Sequence, residues 1–585
     1  MSGPKRPIRI ANFAGMFGDR SSAAREQLEG GEVDVLAADY LAELTMLILA
    51  RTRQRHVGYA RTFIPLVEEI LGECLDRGVR IVVNAGGLDP KGCAAAVDEV
   101  AARLGLTASV AAIDGDDLAP RLADVIADGH DLAHLETGEP MGERADQIVV
   151  ANAYLGGWGI TEALTRGADV VVTGRVTDAA VTSGPAAWWH GWARDDWDRL
   201  ASAVVAGHII ECGCQATGGN YSFFTEIADM RRPGYPWVDI HADGSMVVGK
   251  HDGTGGEVSV GTVTSQLLYE ISGDRYKGPD VTVRFDSIEI EQVGDDRVRV
   301  FGVKGEPPPQ TLKVAAGYAG GFKNSFMVGL TGPNQEAKAK VVEDQVWELC
   351  PYDREDFAAV RTELVSSGAQ NAPTNELATS WFRLVVADPD PEKVGRAFSN
   401  SAVQTVLSSI PGFFGLWPPA DAKPFATYWP AVIDRDGVQE MLHIDGTSTP
   451  IAQTDPGTPF EADVLEVPVP AAPGGPTTAA PLGAVVGARA GDKGGNANLG
   501  VFARSDAAFG WLREFLTTDR LRAVLPETAV LEIERVEFPR LRAVHFLIHD
   551  LLDEGVSSTL RLDAQAKGLG EWLRSRVVDI PEGLL

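Results

Sequence analysis

Cysteine is scarce in this chain: five residues in 585, scattered along its length. That excludes a disulfide framework and reads as a chain whose thiols stay reduced. Cations are also in deficit, since 52 Lys and Arg against 82 Asp and Glu leave a formal net charge of −30. A nucleic-acid partner needs a dense cationic footprint, so that class is excluded. A small anion is not excluded, because a few local arginines and lysines suffice to hold phosphate or carboxylate. Long apolar runs are missing too. The most apolar stretches, such as residues 41–50, are too short and interrupted to cross a bilayer. The first ten residues, M-S-G-P-K-R-P-I-R-I, lead into a strand-like segment with no apolar signal core. The expectation is a cytoplasmic protein with no membrane partner. A G-x-x-x-x-G-K-[ST] phosphate loop is absent, and the nearest dinucleotide fingerprint, around Gly157 and Gly159, has Trp158 between its glycines and lacks a third.

What is present is the composition of a globular chain, 44% hydrophobic and 23% charged, and too long for one ordinary core. Short apolar runs at residues 9–13, 33–37, 79–83, 108–113, 147–150 and 170–173 alternate with helical patterns. In one of these, Phe63, Val67, Ile70, Leu71 and Cys74 fall on a single helical face. Runs apolar on both faces and separated by helices predict a mostly parallel, doubly wound α/β sheet over residues 1–234. Ligands bind beyond the carboxyl ends of such strands. The polar turns fall there: Asn84, Gly86 and Gly87; Asn152, Gly156 and Gly157; Gly174, Arg175 and Asp178.

Residues 235–465 read as an added α+β part, with short antiparallel strands at 281–285, 288–290 and 298–303 and helices at 358–364 and 402–408. A Pro/Ala/Gly linker follows at 466–481. Residues 482–585 then form a small α+β domain, with helices at 507–516 and 569–577 and strands at 530–536 and 543–548. Large doubly wound proteins are often homo-oligomers, and the acidic composition is compatible with that.

The most informative motif is R-A-G-D-K-G-G-N-A-N, residues 489–498. Its three glycines, two cations, one carboxylate and two carboxamides read as a loop between two strands, too polar to continue either one or to be buried. A solvated turn explains the glycines and asparagines, but explains Arg489, Asp492 and Lys493 less well. Together with Asn496 and Asn498, these three are the candidate ligand-binding groups. The best catalytic candidate is H-I-I-E-C-G-C-Q-A-T-G-G at 208–219. Glu211 there can act as a general base and Cys212 as a nucleophile, although a small buried apolar residue is the commoner role for Cys212. Zinc on His208, Glu211, Cys212 and Cys214 is a rival reading, weakened by the C-x-C spacing. Arg175 can grip a carboxylate with Asp178 orienting it, or Thr177 or Asp178 can cap a helix. Lys250 and His251 abut a glycine turn.

Four motifs taken together, N-A-G-G-L-D-P-K-G at 84–92, T-G-R-V-T-D at 173–178, E-C-G-C-Q-A-T-G-G at 211–219 and the 489–498 segment, resemble the acyclic terpene utilization protein family of the AtuA type. The stretch T-V-T-S-Q-L-L-Y-E at 262–270 is also shared. The resemblance covers nearly the whole chain and implies a ferredoxin-like C-terminal domain. It also implies an association with acyl-CoA-based catabolism of terpenoid or branched acids, with a coenzyme A thioester as substrate moiety. The leading expectation is therefore a lyase or hydratase. Glu211 handles the proton, Arg175 and Asp178 orient the substrate, and backbone N–H groups of Gly86, Gly87, Gly218 and Gly219 stabilise an enolate-like oxygen. The alternative is a non-catalytic assembly or binding subunit of an acyl-CoA carboxylating complex.

Overall fold

Five neighbouring strands run parallel at the centre of the main sheet of this computed structural model, which describes residues 5–416, 419–457 and 467–585. They are β1 (Ile8–Ala14), β2 (Val35–Ala38), β3 (Arg80–Val83), β4 (Val110–Asp114) and, numbered after β5 (Ile148–Ala153), β6 (Val170–Thr173). Their spatial order is β1-β2-β3-β6-β4, every pairing parallel. All four residues of β2 and of β6 are buried, which is why both read as unbroken apolar runs.

The sheet is mixed rather than mostly parallel. On the β1 side β7 (Pro236–Ile240), β8 (Met246–Lys250), Arg297–Phe301 and Glu289–Gly294 add antiparallel, and Met441–Ile444 with Thr447–Pro450 add beyond β4, making eleven strands. β5 is not among them. It pairs instead with the strand that begins at Thr311, so Asn152, Gly156 and Gly157 do not follow a strand of the parallel set.

The described chain divides into two compact units. The first comprises Met1–Gly317, Tyr428–Val556 and Asp563–Leu585; the second comprises Tyr318–Thr427 and Ser557–Leu562. The core of the second is built by Phe326, Val328, Leu330, Phe382, Leu384, Val386 and Phe398. Residues 359–365 form a strand there, not a helix. The alternation in A-V-R-T-E-L-V turns Val360 and Leu364 onto that core, and the segment pairs in register with Thr379–Asp388.

At the C-terminal end of the first unit lies a four-stranded antiparallel sheet in the order Val486–Lys493, Asn496–Ala503, Ala543–Ile548, Ile533–Phe538. Helices Asp506–Phe515 and Thr518–Val524 link its second strand to Ile533–Phe538, and Leu569–Arg574 follows Ala543–Ile548. This is the strand order of a ferredoxin-like βαββαβ unit in which the fourth, edge strand enters from the N-terminal side. The last residues of the expected linker, Thr477–Pro481, form a strand against Val577–Pro581; residue 466 lies outside the described residues. Among the described residues no helix is long and apolar enough to cross a membrane.

Candidate functional site

Four of the five parallel strands deliver a polar group to one place at or near their carboxyl ends. Asp39 follows β2, Asn84 follows β3, Arg175 follows β6, and Asn12 lies near the end of β1. Asn84 is fully buried and joins two of these ends. Its Nδ2 donates to Asp39 Oδ1 at 2.5 Å, and its Oδ1 accepts from the Tyr40 N–H at 2.7 Å. Asn84 is thus a positioning residue for Asp39.

Arg175 is 2% exposed. Its Nη1 pairs with Asp178 and donates to the Val176 carbonyl, its Nη2 donates to the Tyr154 hydroxyl at 3.1 Å, and its guanidinium lies 4.3 Å from the Tyr154 ring centre. Asp178 therefore holds Arg175, and it makes no side-chain cap on the helix Ala180–His190. The Tyr154 hydroxyl donates in turn to Glu43 at 2.6 Å, and Lys313 stands 3.6 Å from the same carboxylate. Burial works against the Glu43 charge, yet Lys313 and then Arg175 hold that carboxyl down at about 2.

Glu211 reaches this place from a helix, Trp197–Ile210, whose end it caps. A Cβ on Gly15 would lie 2.7 Å from the Glu211 carbonyl oxygen, so only glycine lets the helix end come this close to β1. Glu211 is 4% exposed. Its Oε1 lies 3.3 Å from His208 Nδ1, outside hydrogen-bond geometry, and its Oε2 has no partner among the described residues. Burial pushes the Glu211 carboxyl well up, and repulsion from Asp178 and Glu270 adds to it, against Lys493 and Arg175. Asp39 is raised for the same reasons, burial first and Asp178 next. Burial takes His208 down to about 4, so the imidazole is neutral at pH 7. Unpartnered buried polar atoms gather here: Asn12 Oδ1, Arg175 Nε, both His208 nitrogens and Glu211 Oε2. Each costs about 1–3 kcal/mol unless something polar meets it.

The 489–498 segment adjoins this place, but not as a loop. Val486–Lys493 and Asn496–Ala503 pair continuously through the motif, and only Gly494 and Gly495 turn. The polar side chains stay in strand because partners from remote parts of the chain satisfy them. Asn498 donates to the Leu268 carbonyl at 2.8 Å and accepts from the Glu270 N–H at 3.2 Å. Asn496 donates to Glu136 at 2.6 Å, and Arg489 bonds Gln215 and stacks 4.0 Å from the Tyr269 ring centre. Asp492 lies 4.0 Å from Lys567; burial and then Glu270 push its carboxyl up to about 6. Lys493 lies over the Tyr276 ring at 5.8 Å and bears electrostatically on both Glu211 and His208. Replacing Asn498 by Ala strands two buried backbone groups and is expected to destabilise the protein by about 1–3 kcal/mol in urea melts. A wild-type midpoint would discount the tie.

Asn84, Arg175, Asp178, Glu211 and Lys493 thus form one cluster with Asp39, Glu43, Tyr154, His208, Glu270, Tyr276 and Lys313. Cys212 adjoins it, but burial and then Glu211 push its thiol well up, against the thiolate a nucleophile needs. The four glycine N–H groups expected to hold an oxyanion are spent within the protein. Gly86 donates to Thr173, Gly87 to Asn84, Gly218 to Gln215 and Gly219 to Cys214, all to carbonyl oxygens. Lys250 does not join either. It lies two strands from β1 on the same edge, paired with Asp296 at 2.9 Å and bonded to the Thr254 carbonyl. His251 beside it packs on Gly30 and Trp237.

The zinc reading fails in the same way, because Cys214 Sγ turns to the Pro233 carbonyl at 3.3 Å. Among the described residues, three metal-type ligand atoms come within 4.8 Å of one another only at His130, Asp434 and Asp436. The Gly157 N–H serves Asp280 at 2.6 Å, which leaves no phosphate cradle at the dinucleotide-like turn. A groove of about 350 Å³ opens at the opposite end of the hairpin, lined by Tyr221, Ser259, Phe502, Arg504, Arg540 and Arg542. It is remote from the cluster, and its three arginines are each paired with a carboxylate.

A sequence model described as acyclic terpene utilisation family protein AtuA matches residues 8–444. The chain belongs to that family. A second model, the AtuA ferredoxin-like domain, matches residues 480–579, the segment carrying the antiparallel sheet described above. A search of curated proteins finds no match. Both sides of this cluster, the strand ends and the hairpin, fall within the matched segments.

Beside this cluster a second group of buried acids sets a pH dependence. Burial, then the charge of Asp280, pushes Glu440 up to about 8, and burial pushes Asp116 up to about 7. Both folded values lie above the unfolded ones, so the stability they allow is complete at low pH and is lost as pH rises through them. His208 and His545, taken down to about 4 and about 3 by burial, act in the opposite sense but only below about 6.5. The melting temperature is therefore expected to fall between about pH 6.5 and 8.5, and Glu440→Gln to flatten that fall. An equal slope in the variant would remove Glu440 as its source.

Proposed function

We propose that this cluster is the active site of an enzyme of acyclic terpene or branched-chain acid catabolism, acting on an acyl-CoA or related carboxylic intermediate as a lyase or hydratase. Family membership supports the metabolic setting. The observation that carries the chemistry is Glu211: a buried carboxyl with one oxygen unpartnered, held toward its protonated form beside a neutral His208. A carboxyl whose pKa is raised this way suits transfer of a proton to or from carbon, or to a leaving oxygen. Arg175, steadied by Asp178 and Tyr154, supplies a fixed positive charge for the negative oxygen that develops. Lys493 supplies a second from the hairpin side. Asp178, Glu43, Lys313 and Lys493 are partly exposed, whereas Asp39, Arg175 and Glu211 are buried.

The test uses extracts of cells lacking this chain, fed a branched carboxylic acid, with CoA thioesters followed by mass spectrometry. One thioester is expected to accumulate and to be consumed when the purified full-length chain is returned. An unchanged thioester pattern, together with loss of a carboxylating complex from the extract, would overturn the enzyme reading and favour an assembly subunit.

A further inference from the structure

We infer that the strand Ala359–Val365 of the second unit is a docking edge for a second copy of this chain, the two strands running antiparallel about a two-fold axis at Thr362.

The strand ends its sheet. Among the described residues it pairs with Thr379–Asp388 alone, through seven consecutive residue pairs with no shift of register. A straight edge of this length offers a row of unpaired backbone N–H and C=O groups to any strand that can lie beside it. Both outer strands of the eleven-stranded sheet are guarded against that: Glu289–Gly294 carries a shift of register, and Thr447–Pro450 is four residues long and ends in proline. Ala359–Val365 has no proline, no lysine and no bulge.

Its sequence, A-V-R-T-E-L-V, says what the occupant is. The strand is a palindrome of chemical type about Thr362, with two apolar residues and one charge on either side and the two charges opposite in sign. In an antiparallel pair centred on Thr362, Arg361 lies opposite Glu363 of the second copy, Val360 opposite Leu364, and Ala359 opposite Val365. Moving the axis by one residue sets Arg361 against Arg361, or Glu363 against Glu363, and like charges directly opposite are unfavourable. One register is therefore selected, and it is self-complementary, as a two-fold interface must be.

The side chains stand ready for that register. Val360 and Leu364 already pack on the core of the second unit, and on their face the Thr362 hydroxyl donates to Glu343 at 2.9 Å. The apolar pairs would carry this layer across the junction. On the other face Arg361 is 35% exposed and, among the described residues, bonds through Nε alone, to Glu363 at 2.6 Å. Its two Nη groups remain for a carboxylate arriving across the edge. Arg383, opposite Glu363 in register, holds that carboxylate on the same face at 2.8 Å.

The test is sedimentation equilibrium of the full-length protein, which should give an even multiple of the chain mass. Arg361→Glu and Glu363→Arg each set like charges opposite one another, and each should raise the dissociation constant at least about tenfold. An equimolar mixture of the two variants should recover the wild-type mass, because the two carboxylates of one chain then face the two guanidiniums of the other. Repair of a contact within one chain would not produce that recovery. Independently, Thr362→Cys under mild oxidation with copper phenanthroline should give a covalent dimer, whereas wild type and Ala359→Cys should not, since only residue 362 faces its own copy. A monomeric wild type, single variants with the wild-type dissociation constant, or a mixture that stays apart overturns the inference. So does the lack of a cross-link at 362, or one formed as readily at 359.

Discussion

Glu211→Gln should lower turnover by about 10²–10⁴-fold, the range general acid–base groups contribute, with little change in KM. Glutamine keeps the volume and polarity of the side chain and cannot carry the proton. The neighbours make the substitution mild for the fold. His208 Nδ1 and the unpartnered Oε2 position accept an amide without creating a charge, and the carboxyl it replaces is already held toward neutrality. Stability should therefore change little while activity falls, which separates a catalytic role from a structural one. The pH profile adds a second readout. If Glu211 acts as the acid, wild-type activity declines as pH rises through its elevated pKa, and that limb disappears in the residual activity of the variant. Retention of more than about a tenth of wild-type turnover would remove Glu211 from the chemistry.

Arg175→Ala should have the largest effect on stability, below the about 3–5 kcal/mol of a fully buried pair because Asp178 is partly exposed, yet large because one guanidinium serves Asp178, Val176 and Tyr154 together. Asp178 loses its partner, the Tyr154 ring and hydroxyl lose theirs, and Asp39 and Glu43 lose a nearby positive charge. Arg175→Lys should recover only part of this, since an ammonium cannot reproduce the planar donor set that meets Asp178, Val176 and Tyr154 at once. A double-mutant cycle with Asp178→Asn, read by urea unfolding, isolates the pair: the double variant should be more stable than the two single losses summed. Additive losses would mean that Arg175 is held by its packing on Tyr154 rather than by Asp178.

Much of the parallel centre was legible in the primary structure. Residues buried on both faces leave unbroken apolar runs, and β2, β3 and β6 lie within a residue or two of where those runs fall. The meeting of Asn84 and Arg175 at one end of the sheet was legible because each stands just past such a run, whereas Glu211 arrives from the end of a helix. The hairpin was not legible as strand. Polar residues remain in a buried ladder only if something satisfies them, and Asn496 and Asn498 draw on Glu136, Leu268 and Glu270 from remote segments. Local pattern carries no trace of such partners. The same holds for Glu43, Tyr154 and Lys313, which enter the site only through tertiary packing and stand in ordinary surroundings in the chain. Asp39 and Glu270 left weak signs, one just past an apolar run and the other closing the stretch at 262–270. The residues 359–365 failed for another reason. Seven residues are too few to separate a helical from a strand period, and pairing with Thr379–Asp388 decided the outcome.

The Gly494–Gly495 turn gives the hairpin a property of its own: its reach can be reset in fixed increments. A strand advances about 3.4 Å per residue and repeats its facing every second residue. Removing two residues from each arm therefore withdraws the tip by about 7 Å while every remaining side chain keeps its orientation. The number of residues between the flanking apolar segments and the two glycines therefore sets how far the tip extends, in steps of about 7 Å.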